Sequence, residues 1–322
     1  MNNGRNEIIN NLRRWASENK DINCVLVAGS QGNKNKISDE YSDVDAVVFA
    51  RRRKFYDSDL SWIENLGELA SYHEGQVRVP LISKVHKIYF SNGFQLDLIF
   101  WDRRVLPFGY YYVYLKKKIG LPRLLPVLLR KIAENYFNFF PKYIDRGFFL
   151  LADKRNYRPK MEYIGQHFKY KQPPFSEKKL QHVVSRFWAY AYCTAIYIYR
   201  NELACAKIVG DHAIKYHLLE LIELYAKLGN GDDYDVFEGG RYLERWAPDF
   251  IVRGLEHVYG RYDADDAWRA TMETMDTFSH ICGVLEKEHP EIRFTSPEQY
   301  FRGLIQGIYI KRTASNVSIH QH

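Results

Sequence analysis

Cys24-Val-Leu-Val-Ala-Gly-Ser30 is followed, after twelve residues, by Asp43-Val-Asp-Ala-Val-Val-Phe-Ala50. Cys24 to Ala28 has the composition of a short buried strand that stops on Gly29-Ser30. Gln31 to Ser42 is polar and predicts a loop. Val44 to Ala50 predicts a second strand with carboxylates at its start. Strand residues two apart point to the same face, so Asp43 and Asp45 are expected side by side at one edge of a sheet. A third acid stands inside the apolar run Phe94-Gln-Leu-Asp97-Leu-Ile-Phe100, where an unpaired charge is costly. Three converging carboxylates repel one another unless a cation lies between them. Mg²⁺ suits such a set, because it takes oxygen ligands and shares them with phosphate. Gly29 permits close backbone approach to a phosphate, and the nearby amides with the Ser30 hydroxyl suit the β- and γ-phosphates. An isolated Asp-x-Asp is ordinarily a turn or a solvated strand edge, and an isolated Gly-Ser says less still. The ordered set of strand, Gly-Ser, loop, Asp-x-Asp, strand and later strand acid is far more specific. It points to nucleotidyl transfer, in which catalysis is mainly positioning and charge neutralisation.

Working outward, Ile8, Leu12 and Trp15 recur at helical spacing and predict a helix over 5–19. Residues 57–71 are expected to be helical. Residues 84–90 and 94–101 are expected to be strands joined by Ser91-Asn92-Gly93, where the Asn-Gly pair signals a hairpin. From about residue 176 the periodicity is helical, with helices expected over 177–201, 202–227, 241–259 and 264–288, and a loop at 229–233. The fold class is therefore α+β: an N-terminal mixed-sheet nucleotidyltransferase domain over 1–150, then a C-terminal helical domain over 151–322.

The 322 residues, 46% hydrophobic and 16% aromatic, suffice for two modest cores. Net charge is +7, yet residues 103–150 alone hold ten Lys and Arg against Glu134 and Asp145, so the remainder is about neutral. Charge confined to one stretch is unlike a nucleic-acid coat, and no stable nucleic-acid partner is expected. Cys24, Cys193, Cys205 and Cys282 are scattered, which argues against a zinc site or disulfide framework and suits the reducing cytoplasm. The opening Met1 to Arg14 lacks the apolar centre of a signal peptide. The longest apolar run, Phe187 to Tyr199, is too short to span a bilayer.

The motifs also resemble a known family. Val27-Ala-Gly-Ser30, Lys34-Asn35 and Asp39-Glu-Tyr-Ser-Asp43-Val-Asp45 resemble the nucleotide-binding loop of aminoglycoside 6-adenylyltransferases (streptomycin adenylyltransferases), members of the DNA polymerase β-like nucleotidyltransferase superfamily. Lys87 to Leu98 is similar to that family's later strand pair. Phe187-Trp188, Tyr199-Arg-Asn-Glu202, Ala206-Lys207, Gly240 to Arg245 and Tyr262 to Trp268 follow in the family's order. The resemblance covers most of 5–102 and 148–300. It implies AMP transfer from ATP to a hydroxyl of an aminoglycoside, with the acceptor bound between the domains. It also implies Mg²⁺ on Asp43, Asp45 and Asp97 and the triphosphate on Gly29 and Ser30. Two departures stand out. Ser185-Arg186 occupies the place where the family pattern leads one to expect Asn-Glu, and 103–147 is an insertion of basic, helical character. Competing readings are an adenylyltransferase for another acceptor, protein or small molecule, and a nucleotide-binding, antitoxin-like module without turnover. The intact set of three acids counts against the module.

Other features have plainer explanations. In the insertion, apolar and basic residues interleave from Tyr110 to Tyr143, as in a surface-lying helix or a helical subdomain with a solvated basic face; the second is favoured. Arg51-Arg-Arg-Lys54 is either a solvated run or a triphosphate contact, the former favoured. Asp232, Asp233, Asp235 and Glu238 form either an acidic rim for a cationic acceptor or a polar loop. Glu202 and Asp211 are expected to be solvated helix positions. His212 and His217 are expected to be surface or packed residues, and the rings of Phe187 to Tyr199 to be core.

Overall fold

The computed structural model describes residues 2–28, 41–78, 82–120, 125–127, 130–131, 144, 147–168 and 174–319. Two compact units divide the chain, Met1–Lys171 and Gln172–His322.

The first unit is built on a mixed sheet of six strands. In chain order these are β1 (Ile22–Ala28), β2 (Val44–Ala50), β3 (Leu69–Arg78), β4 (Ile82–Phe90), β5 (Gln95–Asp102) and β6 (Phe149–Asp153). Their spatial order is β3-β4-β5-β2-β1-β6. β2 and β5 run parallel; the other neighbours are antiparallel. All seven residues of β1 are buried, as expected for an interior strand covered on both faces. Helix α1 (Asn2–Glu18) lays Ile8, Leu12 and Trp15 on the face carrying Val25, Val27, Val48 and Leu98. The other face carries Leu26, Val47, Phe49, Ile99 and Trp101. It is covered by α3 (Val105–Ile119) through Leu106, Tyr112 and Val113, and by α4 (Arg158–His167) through Met161 and Ile164. The expected insertion therefore begins with a helix that closes the core of this unit.

One expected element of this unit differs, for a local reason. The helix expected over 57–71 is instead a short α2 (Arg53–Ser58), a 3₁₀ turn (Ser61–Asn65) and the start of β3. Asp59 accepts from the Ser61 N–H at 2.9 Å, a side-chain turn that competes with helix continuation. β6 pairs with β1. The Asp153 carboxylate then caps α4, accepting from the N–H groups of Tyr157 at 2.8 Å and Arg158 at 3.0 Å. Both elements thus lie in the first unit.

The second unit is helical. Ser176 accepts from the Lys179 N–H to start α5 (Glu177–Tyr199), whose Leu180, Val184, Phe187 and Ala191 form the buried stripe of a 3.6-residue period. The span expected as one helix over 202–227 is α6 (Leu203–Ile208), a π-helical turn (Val209–Ile214) and α7 (Lys215–Asn230). The span expected over 241–259 holds α8 (Leu243–Trp246) and α9 (Asp249–Leu255). Pro248 separates them, because proline disfavours helical backbone at the residue before it. Asp263 caps α10 (Ala264–Glu288), and Phe278 from that helix stacks on Phe187 at 3.6 Å. A further helix, α11 (Glu298–Ile319), ends the described chain. No described helix is long and apolar enough to cross a membrane.

Candidate functional site

β2 and β5 pair in a register that sets Asp45 opposite Asp97. β5 and β4 pair so that Asp97 stands opposite Lys87. Asp45, Asp97 and Lys87 thus form a row across three neighbouring strands. Asp43 joins it from the residues just before β2. Carboxylate oxygens of Asp43, Asp45 and Asp97 lie within 4.8 Å of one another. Asp97 is buried, and the other two are half-buried. The three acids singled out from the sequence are therefore brought together. Gly29 and Ser30 lie outside the described residues, as does most of 121–146.

Two further side chains belong to this row. Lys87 Nζ donates to Asp97 Oδ2 at 2.6 Å, and Gln95 Nε2 donates to Asp97 Oδ1 at 2.9 Å. Both oxygens of the buried carboxylate are thereby satisfied, as burial requires. The Lys87 ammonium is held above its ordinary range, first by the hydrogen bond to Asp97 and then by the charges of Asp97 and Asp43, against the opposing effect of burial. The hairpin signal was sufficient to find Lys87: once Phe90 and Phe94 flank the turn, Lys87 and Asp97 fall opposite one another.

The donor set fits a hard divalent cation. Three carboxylates and one ammonium leave two negative charges, which one such ion cancels. At ~2.1 Å from Mg²⁺, opposed ligands are about 4.2 Å apart, so the 4.8 Å span needs only slight closure. Among the described residues, this is the one cluster of three or more acidic, histidine or cysteine groups able to hold a metal.

Several other residues singled out from the sequence have partners or positions of their own. Arg51 to Lys54 follows the opposite end of β2, six residues beyond Asp45, or about 20 Å along a strand. Asp232 accepts from the Phe175 N–H at 2.7 Å, and Asp235 from the Phe237 N–H at 3.1 Å, so both serve the backbone of their own unit. Asp211 pairs with Lys207 at 2.8 Å. His217 is buried and bonds Glu220 at 2.9 Å. Phe187 and Trp188 are core residues.

A mixed sheet presenting three clustered carboxylates beside a lysine is an arrangement able to hold a divalent cation and phosphate together. The chain belongs to the streptomycin adenylyltransferase family, whose model matches residues 3–300. It is 20% identical over 243 residues to an aminoglycoside 6-adenylyltransferase of Staphylococcus aureus, covering 76% of this chain and 77% of that protein. It is 21% identical over 277 residues to one of Campylobacter jejuni, covering 85% of each. Among solved structures, it is similar to an aminoglycoside 6-adenyltransferase from Bacillus subtilis, with TM-score 0.42 and 14% identity over 94% of this chain and 96% of that one.

Proposed function

We propose that this protein transfers AMP from ATP to a hydroxyl of an aminoglycoside and releases pyrophosphate. The observation that carries the reading is the convergence of Asp43, Asp45 and Asp97 on one face of β2 and β5, in a chain of this family. Asp43, Asp45 and Asp97 would hold Mg²⁺, which when bound neutralises the triphosphate and strengthens its α-phosphorus as an electrophile. Asp97 would lower the barrier to deprotonating the attacking hydroxyl, whose proton passes to solvent. The hydroxyl oxygen forms the bond to the α-phosphorus, and the bond to the departing pyrophosphate breaks with its electron pair. Lys87 balances the charge of Asp97 and lies beside the carboxylates where phosphate charge gathers. Gly29 and Ser30 are assigned the triphosphate from the sequence pattern.

The aminoglycoside assignment rests on the family and its relatives. Arg186 favours a second reading, in which the acceptor is less cationic than streptomycin. It is exposed on α5, and a permanent positive charge there opposes a polycation. The test is transfer of label from α-labelled ATP in the presence of Mg²⁺, with streptomycin, other aminoglycosides and uncharged polyols as acceptors. A labelled aminoglycoside and stoichiometric pyrophosphate are expected from the wild type and not from Asp45→Asn. Labelling confined to non-aminoglycoside acceptors would establish the second reading; no labelling of any acceptor by a folded protein would refute both.

A further inference from the structure

The far ends of β2 and β5 carry a second charged site, of opposite sign to the carboxylate row. The register pairs Ala50 with Asp102, and the Arg103 N–H donates to the Ala50 carbonyl at 2.9 Å. The two segments that leave the sheet are thereby held side by side. They border an open cavity of about 720 Å³ walled by Arg51, Arg52, Arg53, Lys54 and Arg104, with Asp102 as its one acidic wall residue.

Ion pairing within the fold accounts for only part of this charge. Asp102 is taken up by Arg104, whose Nε and a terminal nitrogen donate to its two oxygens at 2.8 and 3.0 Å. Asp21 holds Arg52 at 3.5 Å, and Asp57 holds Arg53 at 3.6 Å. Among the described residues Arg51 and Lys54 have no ion-pair partner. Five cations facing one cavity repel each other, and an anion removes that repulsion. Arg104 is oriented by its two hydrogen bonds to Asp102, and planar guanidinium groups favour phosphate over a monatomic ion.

Two phenyl rings add a second property. Phe55 and Phe108 line the same cavity and are 44% and 59% exposed. The Arg52 guanidinium lies 4.9 Å from the centre of the Phe55 ring. Exposed rings among cations suit a planar base joined to phosphates. The volume is in the range that encloses one small molecule, whereas a nucleic-acid strand requires a basic groove spanning several phosphates.

We propose that this cavity binds a nucleotide-class anion, a planar base bearing two or more phosphates, without a divalent metal. Arg51 and Lys54 supply free charge, Arg104 presents an oriented guanidinium, and Phe55 and Phe108 stack on the base. The site stands about 20 Å along β2 from Asp45 and does not depend on the transfer reaction proposed above.

ADP binding to the full chain, measured by titration calorimetry at low salt in EDTA, tests the inference. One equivalent should bind to the wild type and to Asp43→Asn/Asp45→Asn, in which adenylyl transfer is lost; that pairing separates this site from the carboxylate row. In both backgrounds, Arg51→Glu with Lys54→Glu should weaken ADP by about tenfold or more, with unchanged thermal melting. Phe108→Ala should weaken ADP and leave tripolyphosphate unaffected. The proposal is overturned if metal-free ADP binding is absent, or if it ignores the Arg51 and Lys54 reversals. Tripolyphosphate binding as tightly as ADP, with Phe108→Ala silent, overturns the nucleotide assignment. A single-stranded oligonucleotide that binds these residues more than about tenfold tighter than ADP overturns the small-ligand assignment.

Discussion

Lys87 and Asp97 face each other across β4 and β5 and share a 2.6 Å hydrogen bond between Nζ and Oδ2. The ammonium therefore occupies an oxygen that a divalent cation at this row would also use. Removing it should have opposite effects on metal affinity and on turnover. In Lys87→Met, binding of Mn²⁺ alone, followed by electron paramagnetic resonance, should tighten by about tenfold, a modest effect for a half-exposed charge. Adenylyl transfer should slow in the same variant, because phosphate charge loses its counter-ion. Unchanged Mn²⁺ affinity would mean that ammonium and cation do not compete for Asp97.

Asp45→Asn and Asp97→Asn keep the shape of each side chain and remove its charge. Each should lower kcat for transfer by at least about a hundredfold, the order expected when an electrostatic catalytic group is lost. Thermal melting should change little, since relieving repulsion among the three acids offsets the lost ion pair. Steady-state kinetics within tenfold of wild type would remove the row from the reaction.

Lys215 is buried in the second unit, with Nζ donating to Thr274 Oγ1 at 2.6 Å. Burial lowers its pKa from 10.5 to about 8, with Lys207 and Arg269 adding to the shift and Asp211 opposing it. Between these two values the unfolded chain keeps a proton that the folded protein gives up, so stability should rise with pH through that window. The contribution is complete above the unfolded value and is lost as pH falls through about 8. A shift of this size corresponds to roughly 3 kcal/mol. Urea denaturation of the wild type from pH 7 to 10.5 should show the rise, and Lys215→Met should lack it and be more stable at pH 7. Parallel pH profiles for the two proteins would contradict this.

His86 is fully buried, with one ring nitrogen 3.2 Å from Asp57 Oδ1 and the other 3.0 Å from the Tyr72 hydroxyl. Tyr72→Phe leaves that second nitrogen without its partner and should cost about 1–3 kcal/mol in denaturant unfolding. The carboxylate row lies on the opposite sheet face, so transfer kinetics should be unaffected. A variant as stable as wild type would mean that water replaces the hydroxyl.

Arg186→Glu tests both the acceptor and the local field. His217 is held below its ordinary range by burial first, with Glu220 opposing and the charges of Arg186 and His182 assisting. The substitution should raise the His217 pKa, readable by nuclear magnetic resonance, whatever the substrate. If Arg186 also faces the acceptor, kcat/KM for streptomycin should rise about tenfold, equivalent to ~1.4 kcal/mol. A raised His217 pKa with unchanged streptomycin kinetics would place Arg186 outside the acceptor site.

Local pattern makes several elements legible in the sequence. β1 and β2 follow from apolar runs of strand length, and β4 and β5 from the Asn92-Gly93 turn. Helices α5 and α10 follow from long 3.6-residue periods. β3 was not legible: its Ser71, His73, Glu74 and Gln76 lie on an exposed edge, where burial imposes little alternation. The break at Pro248 was visible in composition, but the apolar period running through Leu243, Trp246 and Ile251 concealed it.

By itself the sequence determined that Asp43 and Asp45 stand side by side at a sheet edge, and that a hairpin turn joins the strand of Asp97 to the strand before it. Both follow from the two-residue period and from a turn of known length. Only the tertiary structure decided that β2 lies parallel to β5, with Asp45 in register with Asp97. That pairing joins segments about fifty residues apart and depends on burying both sheet faces, which no local repeat encodes. The same register carries Arg51 to Lys54 and Arg104 to the other end of the two strands. A basic run next to Asp45 in the chain thus ends beyond reach of the carboxylate row, in a cavity of its own.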